Sequence, residues 1–212
     1  MELIWFGHSC FKIKDKNIVI VADPYSDEIG LKMPSLEADI LTISHPHYDH
    51  NNVAAVTAEN VLSTPGEYEI KGTFIEGIES FHDDKQGAER GRNTIFVFHL
   101  SDLTICHLGD LGHKLTDEEA ERIGDVDVLL VPVGGNFTID AEGAVSVINQ
   151  IEPKVVVPMH YKIEGVNLEI ADAKKFCEEM GSPCEPQEGP LKIQKKDLPE
   201  EGMQVVILTA SK

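Results

Sequence analysis

Six consecutive residues, His45-Pro46-His47-Tyr48-Asp49-His50, place three imidazoles and a carboxylate directly after the mainly apolar run Ile40-Leu41-Thr42-Ile43-Ser44. Such a run reads as a buried strand that delivers side chains at its C-terminal end, where function in α/β architectures usually sits. Four ligand-type side chains in six positions point to a metal site. Neutral imidazole with carboxylate suits zinc, iron, manganese or nickel, whereas a calcium or magnesium site is built mainly from oxygen. In extended chain, residues two apart face the same way, so His45 and His47 can share one ion. A turn after Tyr48 then swings Asp49 and His50 toward a second ion beside it.

A chain of 212 residues, 42% of them hydrophobic, is enough for one full core, and a single domain over 1–212 is expected. No stretch approaches the roughly 20 apolar residues of a membrane span. The N-terminal strand pattern follows no basic region or cleavage site, so the expected location is cytoplasmic. The formal net charge of -19, from 18 basic against 37 acidic residues, repels polyanions and anionic lipid surfaces. Nucleic acid and membrane are therefore not expected partners, while a homo-oligomer stays open. Cys10, Cys106, Cys177 and Cys184 form no Cys-x-x-Cys pair, so they are expected as reduced thiols and not as a zinc site.

No repeat, low-complexity tract or linker divides the chain. Short apolar runs bounded by turns fill the first half, at 2–6, 10–13, 17–22, 40–44, 61–63, 73–78, 94–99 and 103–107. Further strands at 128–132, 154–158, 191–193 and 204–209 alternate with helical patterns. Thr116 with Glu119 is a capping box whose helix stops at Gly124. Apolar stripes mark two more helices: Ala141, Ala144, Val145, Ile148 and Ile151, then Ile170, Ala173, Phe176, Cys177 and Met180. A short helix is expected near Asn51, with Val53 and Val56 inward, and 83–92 reads as a mobile polar loop. The order predicts two packed sheets flanked by helices, an α+β arrangement, not a doubly wound fold.

Three more residues sit where the metal cluster begins, at strand ends. His82 closes the run 75–81, Asp110 follows Leu108-Gly109 after the strand 103–107, and His160 closes 155–159. Singly each suits a turn or cap; together with the cluster they complete a two-metal donor set.

With these motifs the chain resembles the metallo-β-lactamase superfamily, whose pattern is His-x-His-x-Asp-His, a lone His, an Asp after Gly and a last His. The resemblance implies His45, His47 and His82 around a first metal, and Asp49, His50 and His160 around a second, with Asp110 bridging. It implies a four-layer αβ/βα sandwich with the metals at one rim between two mixed sheets. Trp5-Phe6-Gly7-His8-Ser9-Cys10-Phe11 and Pro158-Met159-His160-Tyr161 are similar to the L-ascorbate 6-phosphate lactonase-like branch. That branch places a His of the Gly-His turn near the metals, which makes His8 a candidate for proton transfer, substrate contact or ligation. Leu111 after Gly-Asp and Asp83-Asp84 after the lone His depart from the pattern, so the lactonase substrate does not transfer. Asp23, before Pro24, is expected to orient a metal-bound histidine or to cap a turn.

The expected cofactors are two divalent transition-metal ions, zinc first, with manganese, iron or nickel as alternatives. The expected chemistry is hydrolysis of a small anionic ester, lactone or phosphodiester by a metal-activated hydroxide, with Asp49 and His8 as the catalytic pair. The alternatives are a nuclease or phosphodiesterase of the same superfamily, and a non-catalytic metal-binding or redox-responsive protein in which His8 and Cys10 crowd a single ion and close the site.

Overall fold

The computed structural model describes residues 1–211. Alternating burial builds β1 (Glu2–Gly7), β2 (Cys10–Asp15) and β3 (Ile18–Ala22), followed by β4 (Leu36–Thr42) and β5 (Val56–Leu62). Next come β6 (Gly66–Ile70), β7 (Thr73–Phe81), β8 (Arg92–His99) and β9 (Thr104–His107). The capping box of Thr116 and Glu119 opens α1 (Asp117–Ile123), and β10 (Val128–Pro132) precedes α2 (Ala141–Ile151). The chain closes with β11 (Val155–Met159), α3 (Lys174–Met180), β12 (Leu191–Lys192) and β13 (Gln204–Val205).

These strands form two mixed sheets, ordered β12-β1-β2-β3-β4-β5 and β13-β11-β10-β9-β8-β7-β6. The expected sandwich is present. Leu3, Trp5, Phe11, Ile20 and Ile40 face the second sheet, while Phe6, Cys10, Val21, Leu41 and Ile43 join a separate apolar cluster with Tyr25, Ile29 and Met33. β10 and β11 pair in parallel from Val128↔Val155 to Pro132↔Met159, and both are buried throughout, as parallel strands covered on two faces require. α1 packs on β7 and α2 on β10 and α3. Among the described residues no helix is long and apolar enough to cross a membrane.

Pairing directions decide where a site can form. β1, β3 and β4 run the same way, and so do β7, β9, β10 and β11. Each sheet thus gathers several C-terminal strand ends on one rim. Backbone bonds join the rims: His160 N–H donates to the His8 carbonyl at 3.0 Å and Thr94 N–H to the Ser44 carbonyl at 2.9 Å.

Several local expectations need correction. The segment after Asn51 is a single 3-10 turn, Val53–Ala55, with Val53 exposed and only Val56 buried. A strand at Gly66–Ile70 had no clear signal, because alternating half-buried and exposed residues on an edge leave little apolar contrast. The third helix starts at Lys174, so Ile170 and Ala173 of its stripe belong to the preceding loop and cap. Cys177 and Cys184 form a disulfide instead of remaining thiols: the turn at Gly181 reverses the chain and brings their Cα atoms to 5.6 Å.

Candidate metal centre

The first sheet contributes donors through two left-handed turns. β1 ends in Gly7 (φ 101°) and His8 (φ 52°), and the His8 carbonyl accepts the Trp5 indole N–H at 2.9 Å. This turn breaks the alternation, so Cys10 does not share the face of His8. It lies in the apolar cluster, where burial pushes its thiol well above the ordinary range.

Asp23 (φ 47°) ends β3, and its buried carboxylate accepts three bonds: the Ser44 N–H at 2.8 Å, the Ser44 hydroxyl at 2.5 Å and His50 Nδ1–H at 2.9 Å. Since the Ser44 hydroxyl donates to Asp23, its oxygen is left to accept from His45 Nδ1–H at 2.9 Å. One carboxylate therefore fixes two ring tautomers, one directly and one through a hydroxyl. Both histidines present Nε2. Burial would raise the Asp23 carboxyl, but the bond from His50, the nearby His107 and the Ser44 hydroxyl outweigh it and hold it low.

From the second sheet come His82 after β7, Asp110 after β9 and His160 after β11. Asp110 is positioned by Asn93, whose Oδ1 accepts the Asp110 N–H at 3.0 Å while its Nδ2 donates to the Leu108 carbonyl at 2.9 Å. Gly109 (φ 57°) between them allows this turn, because a Cβ there would run into Asn93 and Ser44. After His82 the chain wraps around Asp83, whose carboxylate accepts the N–H groups of Lys85, Gly87, Glu89 and Arg90 at 2.7–2.9 Å. The 83–92 stretch, expected as a mobile loop, is thus folded about one anion as far as Gly91, and Arg92 already opens β8. Those bonds hold the Asp83 carboxyl well below the ordinary range against the cost of burial.

Four imidazoles converge on Asp110. Nε2 of His50 lies 3.1 Å from Oδ1, and Nε2 of His160, His82 and His45 lie 3.2, 3.3 and 3.8 Å from Oδ2. Donor atoms within 4.8 Å of one another form three groups: His45, His47 and His82; His45, His50 and Asp110; and His8, Asp49, His50 and His160. All seven residues expected as ligands are here, and His8 joins the last group with Nε2 3.2 Å from Asp49 Oδ2. Nε2 of His45, His50 and His160 and Oδ1 of Asp110 are buried with no hydrogen-bond partner. Buried polar atoms left unpaired are costly, and this donor set is the kind a transition metal satisfies.

The charges agree with that fit. Burial would lower His50, but Asp110, Asp23 and Asp49 around it raise it well above the ordinary range. The same site therefore attracts a positive charge, which a metal supplies in place of a proton. Burial and the neighbouring His160 lower His8 to about 4, leaving it neutral at pH 7.

Residues outside the donor groups have other duties. His107 Nδ1 accepts the Gly109 N–H at 3.1 Å, so its Nε2–H donates to the Ser9 carbonyl at 2.9 Å. His113 accepts the Phe81 N–H at 3.2 Å. Sequence reasoning missed Ser44 and Asn93 as positioning residues; the only signal for Asn93 was an amide opening an apolar strand.

A family model described as a Beta-lactamase superfamily domain matches residues 2–160, which spans every one of these donors. A UPF0173 protein of Pyrococcus abyssi is 30% identical over 78% of this chain and 85% of its own length. The chain belongs to the UPF0173 family of the metallo-β-lactamase superfamily. Another UPF0173 relative, from Thermoplasma volcanium, is named a metal-dependent hydrolase and is 28% identical over 76% of this chain and 83% of its own. A crystal structure from Thermotoga maritima, assigned to the Zn-dependent hydrolases of the metallo-β-lactamase superfamily, is 36% identical. It superposes with a TM-score of 0.81 over 98% of each chain. Membership in UPF0173 groups this chain with metal-dependent hydrolases, and its two mixed sheets are the fold of that superfamily.

Proposed function

We propose that this protein is a cytoplasmic, single-domain hydrolase that uses two divalent transition-metal ions, zinc first, to cleave a small anionic ester, lactone or phosphodiester. The observation that carries the reading is the set of unpaired Nε2 atoms of His45, His50 and His160 gathered around Asp110. In this reading His45, His47 and His82 would hold one ion and Asp49, His50 and His160 the other, with Asp110 available to both. Ions bound there would supply Lewis acidity to activate water and to polarise a carbonyl or phosphoryl group.

The chain's own residues supply the rest. Asp49 is the proton acceptor for the attacking water. A carboxylate can only accept, so His8 donates Nε2–H to Asp49 Oδ2 and fixes which oxygen remains free. Because His8 is neutral at pH 7, it orients Asp49 without adding a fixed charge. The lactonase-like branch is a source of substrates to screen and no more. The net charge of -19 disfavours the nuclease alternative, and Cys10 in an apolar cluster disfavours a redox-closed site.

The test is ligand replacement with two readouts. His47→Ala and Asp110→Ala should lower both bound metal, counted by plasma mass spectrometry, and turnover of lactone and phosphodiester probes. Unchanged turnover in metal-depleted variants would overturn the mechanism.

A further inference from the structure

The three arginines of this acidic chain divide by partner. Arg92 pairs with Glu79 at 2.8 Å and Arg122 with Glu76 at 2.7 Å. Arg90 forms no ion pair among the described residues. Its Nη2 donates to the Asn136 carbonyl at 3.1 Å, and its guanidinium carbon lies 5.6 Å from the centre of the Phe137 ring. Arg90 is half-buried, and one of its five N–H donors is used.

Backbone bonds tie both segments that hold this cation to segments that carry metal-centre donors. Arg90 precedes Gly91, whose carbonyl accepts the His82 N–H at 3.0 Å, and its own N–H binds the Asp83 carboxylate at 2.7 Å. Asn136 and Phe137 belong to the turn whose Ile139 N–H donates to the carbonyl of Leu111, the residue after Asp110. At the other end of that turn, Gly134 packs against the His160 carbonyl. Arg90 therefore bridges the loop that begins at His82 to the turn between Asp110 and His160. A guanidinium stacked on an aromatic face keeps its fork in one orientation and stays charged at every working pH.

We propose that Arg90 is the anion-recognition residue of this hydrolase: its free N–H groups take a carboxylate or phosphate of the substrate, set apart from the bond that is cleaved. This rests on the hydrolase reading and narrows it to substrates carrying a second, non-reacting oxyanion. In a chain of net charge -19 such a substrate is repelled at long range, so a fixed cation beside the two ions adds to the local attraction and orients the non-reacting oxyanion.

Calorimetry on the zinc-loaded full chain tests this without turnover, using N-(4-nitrophenyl)succinamic acid and its neutral counterpart 4-nitroacetanilide. Wild type should prefer the anionic analogue. Arg90→Ala should weaken it by about tenfold or more and leave the neutral one unchanged, and Arg90→Lys should recover part of the loss. The loop should survive these changes, because Asp83 grips the backbone N–H of residue 90 and not its side chain. No wild-type preference, or equal losses for both analogues, would overturn the proposal. Turnover of the matching p-nitrophenyl hemisuccinate and acetate separates the two readings. Discrimination in binding with no turnover sinks the hydrolase reading alone, whereas turnover of both esters without discrimination sinks only the role of Arg90.

Discussion

The group of His45, His47 and His82 includes an exposed residue, His47, whereas His8, His50 and His160 of the neighbouring group are fully buried beside the half-buried Asp49. Their supports differ in the same sense. His50 bonds directly to the Asp23 carboxylate, while His45 reaches it only through the Ser44 hydroxyl. One centre thus contains a buried pocket and a more accessible one, and the accessible one is joined through the His82–Gly91 backbone bond to the segment that carries Arg90. An ion on the buried side should bind more tightly, and one on the exposed side should exchange first.

The largest effect should come from removing what both sides share. Asp110→Ala should empty both positions and reduce turnover well beyond the roughly 10- to 100-fold that loss of a ligand's supporting partner costs. Metal counting and kinetics on the same preparation check it. Next, Asp23→Asn should weaken metal affinity on both sides by about 10- to 100-fold, whereas Ser44→Ala should weaken only the exposed side. Equal losses at both positions for Ser44→Ala would contradict this division of the supports. His47→Ala should then leave one bound ion per chain, and retention of two would show that the exposed side does not depend on it.

A pH experiment sharpens the buried side. His8 is held at about 4, below the ordinary histidine value of 6.5, by burial and by His160. As pH falls between those values the unfolded chain takes up a proton at this position and the native chain does not, so stability is lost on acidification. The cost approaches about 3 kcal/mol near the lower value. Urea unfolding of the metal-free protein at neutral pH and near pH 4.5 should show a smaller drop for His8→Gln than for wild type. The smallest expected effect lies in the loop of the exposed side. Asp83→Asn should speed amide exchange at Lys85, Gly87, Glu89 and Arg90 at neutral pH. Because the Asp83 carboxyl is held low, its contribution is present above about pH 4 and fades as pH falls below that, so the difference should shrink in acid.

What the sequence made legible follows contiguity. His45 to His50 could be read directly because the donors sit side by side after an apolar run, and β10 and β11 because five consecutive buried residues leave little ambiguity. His82, Asp110 and His160 carried a weaker signal, a polar residue at a strand end, and it took the family pattern to link them. The supports stayed hidden. Ser44 and Asn93 act through hydrogen bonds to residues from other strands, which no local pattern encodes. Arg90 is meaningful only once the turn at Asn136 closes over it, and the Cys177–Cys184 bond only once Gly181 reverses the chain.

The bond from the His160 N–H to the His8 carbonyl joins positions 152 residues apart, and both partners occupy left-handed backbone. During synthesis the ribosome must release residue 160 before that staple can close. The donor group that contains both His8 and His160 is thereby assembled only after the first 160 residues have been made, and a shorter nascent product lacks it.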